Sequence, residues 1–335
     1  MVEKHRVALI TGITGQDGSY MAELLVKNGY QVYGITRDPA ASYPLNLRHL
    51  VGSISLIYSS YEFHHLVEIV KRIQPTEIYN FAGQSYVSKS WEMVEETFNS
   101  LSVIPSRLLE AILANDHSIR FLQASSSELF NPGENDHLDE TFPISPYNPY
   151  GCSKTFAHCM VSAYRRAQGL FAVNAILFPH ESPRRHPNFA FKKIVRAAVS
   201  IKYGDREKLK LGNLSVLRDW GYAPEYANAM HQMMLAKTPD DYCLCTGKAR
   251  SVQDVVQATF DYLNLDWKQH IELVPGLYRS YEPKVIVGNG HKAAKQLNWA
   301  PTSSFEDTLK RVVDFEVQMY SGQEKDYRNE CPGYI

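Results

Sequence analysis

Tyr150 and Lys154 lie four residues apart, which places both on one face of a helix. A tyrosine with an ordinary pKa of about 10 is a poor base near neutral pH. A neighbouring ammonium and a bound nicotinamide cation favour the phenolate and lower that value. The pattern alone is weak in a chain with 21 tyrosines. Its position adds weight, because it follows the serine-rich run Ala124-Ser125-Ser126-Ser127-Glu128. The apolar stretch 119–123 reads as the strand that delivers that run. A hydroxyl from Ser126 or Ser127 can hydrogen-bond a substrate oxygen beside Tyr150. Glu128 can act as general acid or base when partly desolvated. The plain alternative for the run is a serine turn with a capping glutamate.

Earlier in the chain, the apolar residues 7–10 lead into Thr11-Gly12-Ile13-Thr14-Gly15-Gln16-Asp17-Gly18 and then a helical pattern. Glycines at this spacing suit dinucleotide binding. Gly12 permits a tight turn, Gly15 lets backbone approach a pyrophosphate, and Gly18 lets the helix sit close on the strand. The helix N-terminus, with Thr14, Gln16 and Asp17 around it, then offers N–H donors to phosphate. At the end of the second apolar run, Arg37 suits a 2′-phosphate and so NADP, while Asp38 beside it leaves NAD open.

These residues need elements to position them. Strand-like runs at 7–10, 31–35, 77–81, 119–123 and 172–177 alternate with helical patterns at 18–27, 62–73, 91–113 and 150–166. The strands lack polar alternation, as expected where both faces of a sheet are covered. This predicts an α/β fold, a Rossmann-like doubly wound parallel sheet. Beyond residue 177 the pattern loosens. Helices are expected at 190–201, 223–235, 252–263 and 304–319, with strands at 209–211 and 242–245. The economical division gives residues 1–177 plus about 216–247 to the dinucleotide domain. A smaller interleaved α/β substrate domain takes about 178–215 plus 248–335.

Composition narrows the function classes. The 335 residues carry 35 Lys+Arg against 36 Asp+Glu, so nothing electrostatic favours nucleic acid or an anionic membrane. No apolar run suits a membrane span or a signal segment. Five cysteines without a CxxC pair argue against a disulfide framework or a structural zinc, and no metal is expected. A reducing cytoplasm fits. Cys243, Cys245, Trp91 and Phe156 read as core, and His64-His65 as helix surface.

Taken together, these motifs resemble the extended short-chain dehydrogenase/reductase family and, within it, the GDP-mannose 4,6-dehydratase branch. The resemblance spans nearly the whole chain. Segments that carry it include GITGQDGSY at 12–20, NFAGQSYVSKSW at 80–91, HESPRR at 180–185 and RDWGY at 218–222, of which the first and the last two are the more specific to the branch. It implies that Ser126 bonds the sugar 4-oxygen and Tyr150 is the base at the 4-hydroxyl. It also implies that Glu128 handles the C5 proton and Lys154 orients the ribose. His180 and Arg185 fall on the cofactor side. Ser85, Lys193, Arg218, Arg279 and Glu282 fall on the substrate side, where arginine suits a diphosphate. The implied reaction is dehydration of a nucleotide sugar, GDP-mannose or a related GDP-sugar, on a tightly held NADP in a homodimer or homotetramer. A reductase or epimerase of such a sugar is the second reading, and a non-catalytic dinucleotide sensor the third. The sequence departs from the family pattern at Pro179, where an Asn is usual, at Gly83 and Ser59, and at Tyr147-Asn148 before the catalytic pair.

Overall fold

Seven short apolar runs pair as parallel strands. The computed structural model describes residues 6–37, 45–134, 136–278 and 281–322. β1 (Val7–Thr11), β2 (Gln31–Thr36), β3 (Ile54–Tyr58), β4 (Glu77–Asn80), β5 (Arg120–Ser126) and β6 (Ala172–Leu177) join strand Tyr242–Leu244 in one sheet. From one edge the order is Tyr242–Leu244, β6, β5, β4, β1, β2, β3. Every pairing is parallel, and Leu9 of β1 lies opposite Tyr33 of β2 and Ile78 of β4. Successive strands are added outward from β1 in one direction (β2, β3) and from β4 in the other (β5, β6), so a crevice opens between the carboxyl ends of β1 and β4.

Alternate residues of each strand feed two cores. On one face, Ala8, Ile10, Val32, Leu122 and Val173 pack under α1 (Gln16–Lys27) and the later helix Ala223–Leu235. On the other, Leu9, Ile35, Ile78 and Phe121 pack under α2 (Phe63–Ile73) and the helices that follow β4 and β5. A third core lies away from the sheet. Helices Ala190–Lys202, Val252–Tyr262 and Phe305–Tyr320 bury Ile194, Val195, Val256, Phe260 and Val312 against strand Leu209–Leu211.

The helix that carries Tyr150 has well-marked ends. Asn148 caps it by accepting the Gly151 N–H at 2.7 Å, Pro149 occupies its first turn, and Gly169 ends it at φ 67°.

The expected single helix over 91–113 is instead α3 (Val94–Phe98) and α4 (Ile104–Leu113), joined through a π turn at Asn99–Val103. There the Ile104 N–H reaches back five residues to Asn99 O. Pro105 follows and has no N–H to give Leu101, so the ordinary ladder is interrupted there. α5 (Pro149–Gln168) runs beside this segment. Trp91 and Phe156, expected in the core, are 63% and 41% exposed, on the outer side of these helices. β3 was not legible in the sequence. Cys243 and Cys245 are buried with Leu129, Phe178 and Ile286, and His64-His65 is exposed. Among the described residues, no helix is long and apolar enough to cross a membrane, and no His/Cys/Asp/Glu group could hold a metal.

Candidate active site

The turn after β1 is shaped by what its glycines lack. Gly12 has φ 65°, and a Cβ on it would lie 2.7 Å from the Phe81 backbone. A Cβ on Gly18 would lie 2.3 Å from Gly12 O, so α1 rests directly on the turn. A Cβ on Gly15 would meet only Gly12 O, at 3.4 Å, and would otherwise fill the open side of the turn. That is the cradle a pyrophosphate needs, and it sits at the N-terminus of α1. The residues present therefore fit a dinucleotide. Thr14 lies in the turn and its carbonyl accepts from Asn46 at 3.1 Å. Arg37 is exposed at the end of β2.

The loop after β6 is fastened to this turn. Gln16 donates to His180 O at 3.0 Å, and Ser182 donates to Gln16 Oε1 at 2.7 Å. The ring of His180 is buried with Nε2 2.9 Å from Asp17 Oδ1 and Nδ1 2.7 Å from Phe178 O. Both neighbours only accept, so both ring nitrogens carry a proton and the pair is an imidazolium with a carboxylate. Burial opposes charge on each. The pairing prevails, holding Asp17 down to about 2 and raising His180. Arg184 reaches Glu23 at 2.6 Å and lies 3.9 Å from the centre of the Tyr20 ring. Arg185 pairs with buried Glu181 at 3.4 Å and covers the Phe189 ring. The segments GQDGSY and HESPRR are thus largely each other's partners. His180, which the resemblance places on the cofactor side, has both ring nitrogens engaged, by Asp17 and by Phe178 O.

β5 delivers Ser126, whose hydroxyl accepts the Glu128 N–H at 3.2 Å and shares a hydrogen bond with the Tyr150 phenol. Ser127 is buried beside it. Lys154 donates to Ala124 O at 2.8 Å and lies 5.7 Å from the centre of the Tyr150 ring. Ser126, Ser127, Glu128, Tyr150 and Lys154 are therefore brought together. Burial pushes the Tyr150 phenol well above its ordinary value, and the Glu128 charge adds to that. The Ser126 hydrogen bond and the Arg185 charge oppose it. Burial pushes the Lys154 ammonium itself down to about 8, against the pull of Asp17.

Sequence reasoning missed the supports around this group. Tyr147 donates to Glu128 Oε2 at 2.7 Å and Asn148 donates to the same oxygen at 2.8 Å. Ser125 Oγ lies 3.1 Å from His158 Nδ1. Asp241, 3.8 Å from His158 Nε2, is held by two Arg165 bonds of 2.8 Å each. The Tyr147-Asn148 departure from the family pattern was the one available signal.

On the expected substrate side, Arg218 and Glu282 form an ion pair at 2.6 Å. Lys193 extends from its helix to Lys210 O at 3.3 Å. Ser85 is exposed on the loop after β4, next to Tyr86, whose hydroxyl bonds His186 across the gap. Arg279 lies outside the described residues.

With this geometry in hand, a family sequence profile for GDP-mannose 4,6 dehydratase matches residues 9–312. The chain belongs to the GDP-mannose 4,6-dehydratase family. It is 38% identical over 332 residues to GDP-mannose 4,6 dehydratase 1 of Arabidopsis thaliana, covering 95% of this chain and 92% of that protein. It is 37% identical to the Homo sapiens GDP-mannose 4,6 dehydratase, covering 95% and 93% of the two chains. Among solved structures, the dTDP-glucose 4,6-dehydratase of Bacillus anthracis in complex with NAD superposes with a TM-score of 0.83 at 19% identity. That match covers 97% of this chain and all of the other, and it shows the shared fold.

Proposed function

We propose that the chain dehydrates GDP-mannose to GDP-4-keto-6-deoxymannose, with Ser126, Glu128, Tyr150 and Lys154 as its working residues. The observation that carries the reading is the placing of a pinned carboxylate, Glu128, beside a phenol–hydroxyl pair at the carboxyl end of β5. A reductase or epimerase needs the pair. Elimination needs in addition a base for the C5 proton.

A bound nicotinamide dinucleotide would supply the hydride acceptor for C4 and, after water has left, the hydride donor for C6, with a proton restored at C5. The chain's own residues do the rest. Lys154 keeps donors available for a ribose diol. Tyr150 takes the 4-hydroxyl proton while Ser126 holds the 4-oxygen. The resulting ketone acidifies C5. Glu128 then removes that proton and returns it to the departing 6-hydroxyl, which leaves as water. Aligning C4, C5 and C6 in one pocket supplies much of the rate advantage.

We also assign NADP to the cofactor, on Arg37 at the end of β2, and the substrate diphosphate to Arg218 with Lys193. Glu282, Arg218's partner, suits a ribose diol. The sheet with its two cores forms the cofactor domain and the third core the substrate domain. The exposed face of Trp91, Val94, Phe98 and Phe156 suits a second copy of the chain. The four free cysteines among the described residues suit a reducing compartment.

Purified protein with GDP-mannose, catalytic NADP and no reductant tests the reading. The expected product is lighter than substrate by one water and carries a 4-ketone. Net consumption of NADPH on a 4-keto sugar would replace dehydration with reduction.

A further inference from the structure

Glu128 is held through one oxygen only. Tyr147 and Asn148 both donate to Oε2, and among the described residues no hydrogen bond reaches Oε1. A carboxylate torsion is broad, so without partners the plane of the group would wander. Two donors on one oxygen fix that plane and leave the other oxygen unbonded in a set direction. Asn148 cannot turn over either. Its Oδ1 accepts the Gly151 N–H at 2.7 Å, so its amide nitrogen must face Glu128. The start of α5 also rests on this residue, since a Cβ on Gly151 would lie 2.4 Å from Glu128 O. Tyr147 is steadied from the far side. Its ring meets Tyr281 edge-on at 5.4 Å, and Tyr281 donates to Asn131 at 2.7 Å.

We infer that Tyr147 and Asn148 are positioning residues for elimination: they reserve Oε1 of Glu128 as the atom that exchanges a proton with substrate. This rests on the dehydratase reading and adds two residues to it. In the step itself the C5–H bond breaks and its proton goes to Oε1. The freed electron pair forms the C5–C6 double bond as the C6–O bond breaks. The departing oxygen takes the same proton and leaves as water, so Glu128 ends as carboxylate. Oxidation at C4 precedes this step and uses Tyr150 and Ser126. It should therefore be spared when the grip on Glu128 is loosened.

The test is a single turnover of GDP-mannose on cofactor-loaded enzyme, stopped with acid and read by mass. It compares wild type with Tyr147→Phe, which keeps the ring against Tyr281, and Asn148→Ser, which keeps a helix cap. The 4-ketohexose nucleotide, lighter than substrate by two hydrogens, should accumulate in both variants. Water loss should slow roughly tenfold to a hundredfold, the scale of a lost hydrogen bond to a charged group. Both steps use the same folded molecules, so incomplete folding leaves their ratio unchanged. Wild-type partitioning in both variants overturns the inference, as does an equal fall in the two steps. A wild-type enzyme that forms neither ketone nor dehydrated product overturns the dehydratase reading itself.

Discussion

At the scale of single residues, charge is set by the partners that burial leaves. His180 and Asp17 show the sign of the effect. The folded pKa of His180 is raised above 6.5, so its stabilising contribution is complete below that pH. It is lost as pH rises through the folded value. Asp17, lowered from 3.8 to about 2, contributes above 3.8 and loses its contribution as pH falls towards 2. His180→Gln should therefore cost about 2 kcal/mol near pH 6, and less as pH rises past the folded value. Thermal unfolding of both proteins across pH 5–9 checks this, and a pH-independent gap would refute the imidazolium. Tyr150→Phe removes the base and should lower turnover by about 10²–10⁴ while melting at the wild-type temperature. Product formation beside a melting curve decides that.

At the scale of elements, the sequence was most readable where the period was long and the ends were marked. The helix Ala223–Leu235 and the strands Ala172–Leu177 and Leu209–Leu211 occur as expected. β3 was missed because Ile54–Tyr58 is five residues long, lies at the sheet edge and has a mixed burial pattern. Nothing in residues 91–113 announces a π turn except Pro105. Within the site, the glycine turn, Ser126, Glu128, Tyr150 and Lys154 were legible because each lies at a strand end or in the first two turns of a helix. Tyr147 was not, because 19 residues of mostly irregular chain separate it from the carboxylate it binds. The Gly12–Gly18 contact is the sharpest test of an element on an element. Gly18→Ala puts a methyl group against backbone that cannot yield, and should cost about 1–3 kcal/mol. Denaturant unfolding measures this, and affinity for a nicotinamide dinucleotide should fall with it as α1 is pushed off the turn.

At the scale of the whole molecule, the exposed apolar residues are not scattered. Phe98 and Phe156 meet edge-on at 5.8 Å on the outer side of α3 and α5, with Val94 and Trp91 exposed on the same stretch of chain. On the proposed pairing, wild type should sediment as an oligomer and Phe156→Glu as a monomer, with the circular dichroism spectrum unchanged. A wild-type monomer would show that this face serves something else. The fastening of the 180–185 loop onto α1 also orders events in time. Gln16 and Asp17 find their partners 164 and 163 residues later in the chain. During synthesis the first turn is made early, but it stays unclasped until residue 185 has cleared the ribosome. A truncated chain ending at β6 would have every glycine of the turn and none of the 180–185 loop that fastens it, so it should retain no nicotinamide dinucleotide on an affinity matrix.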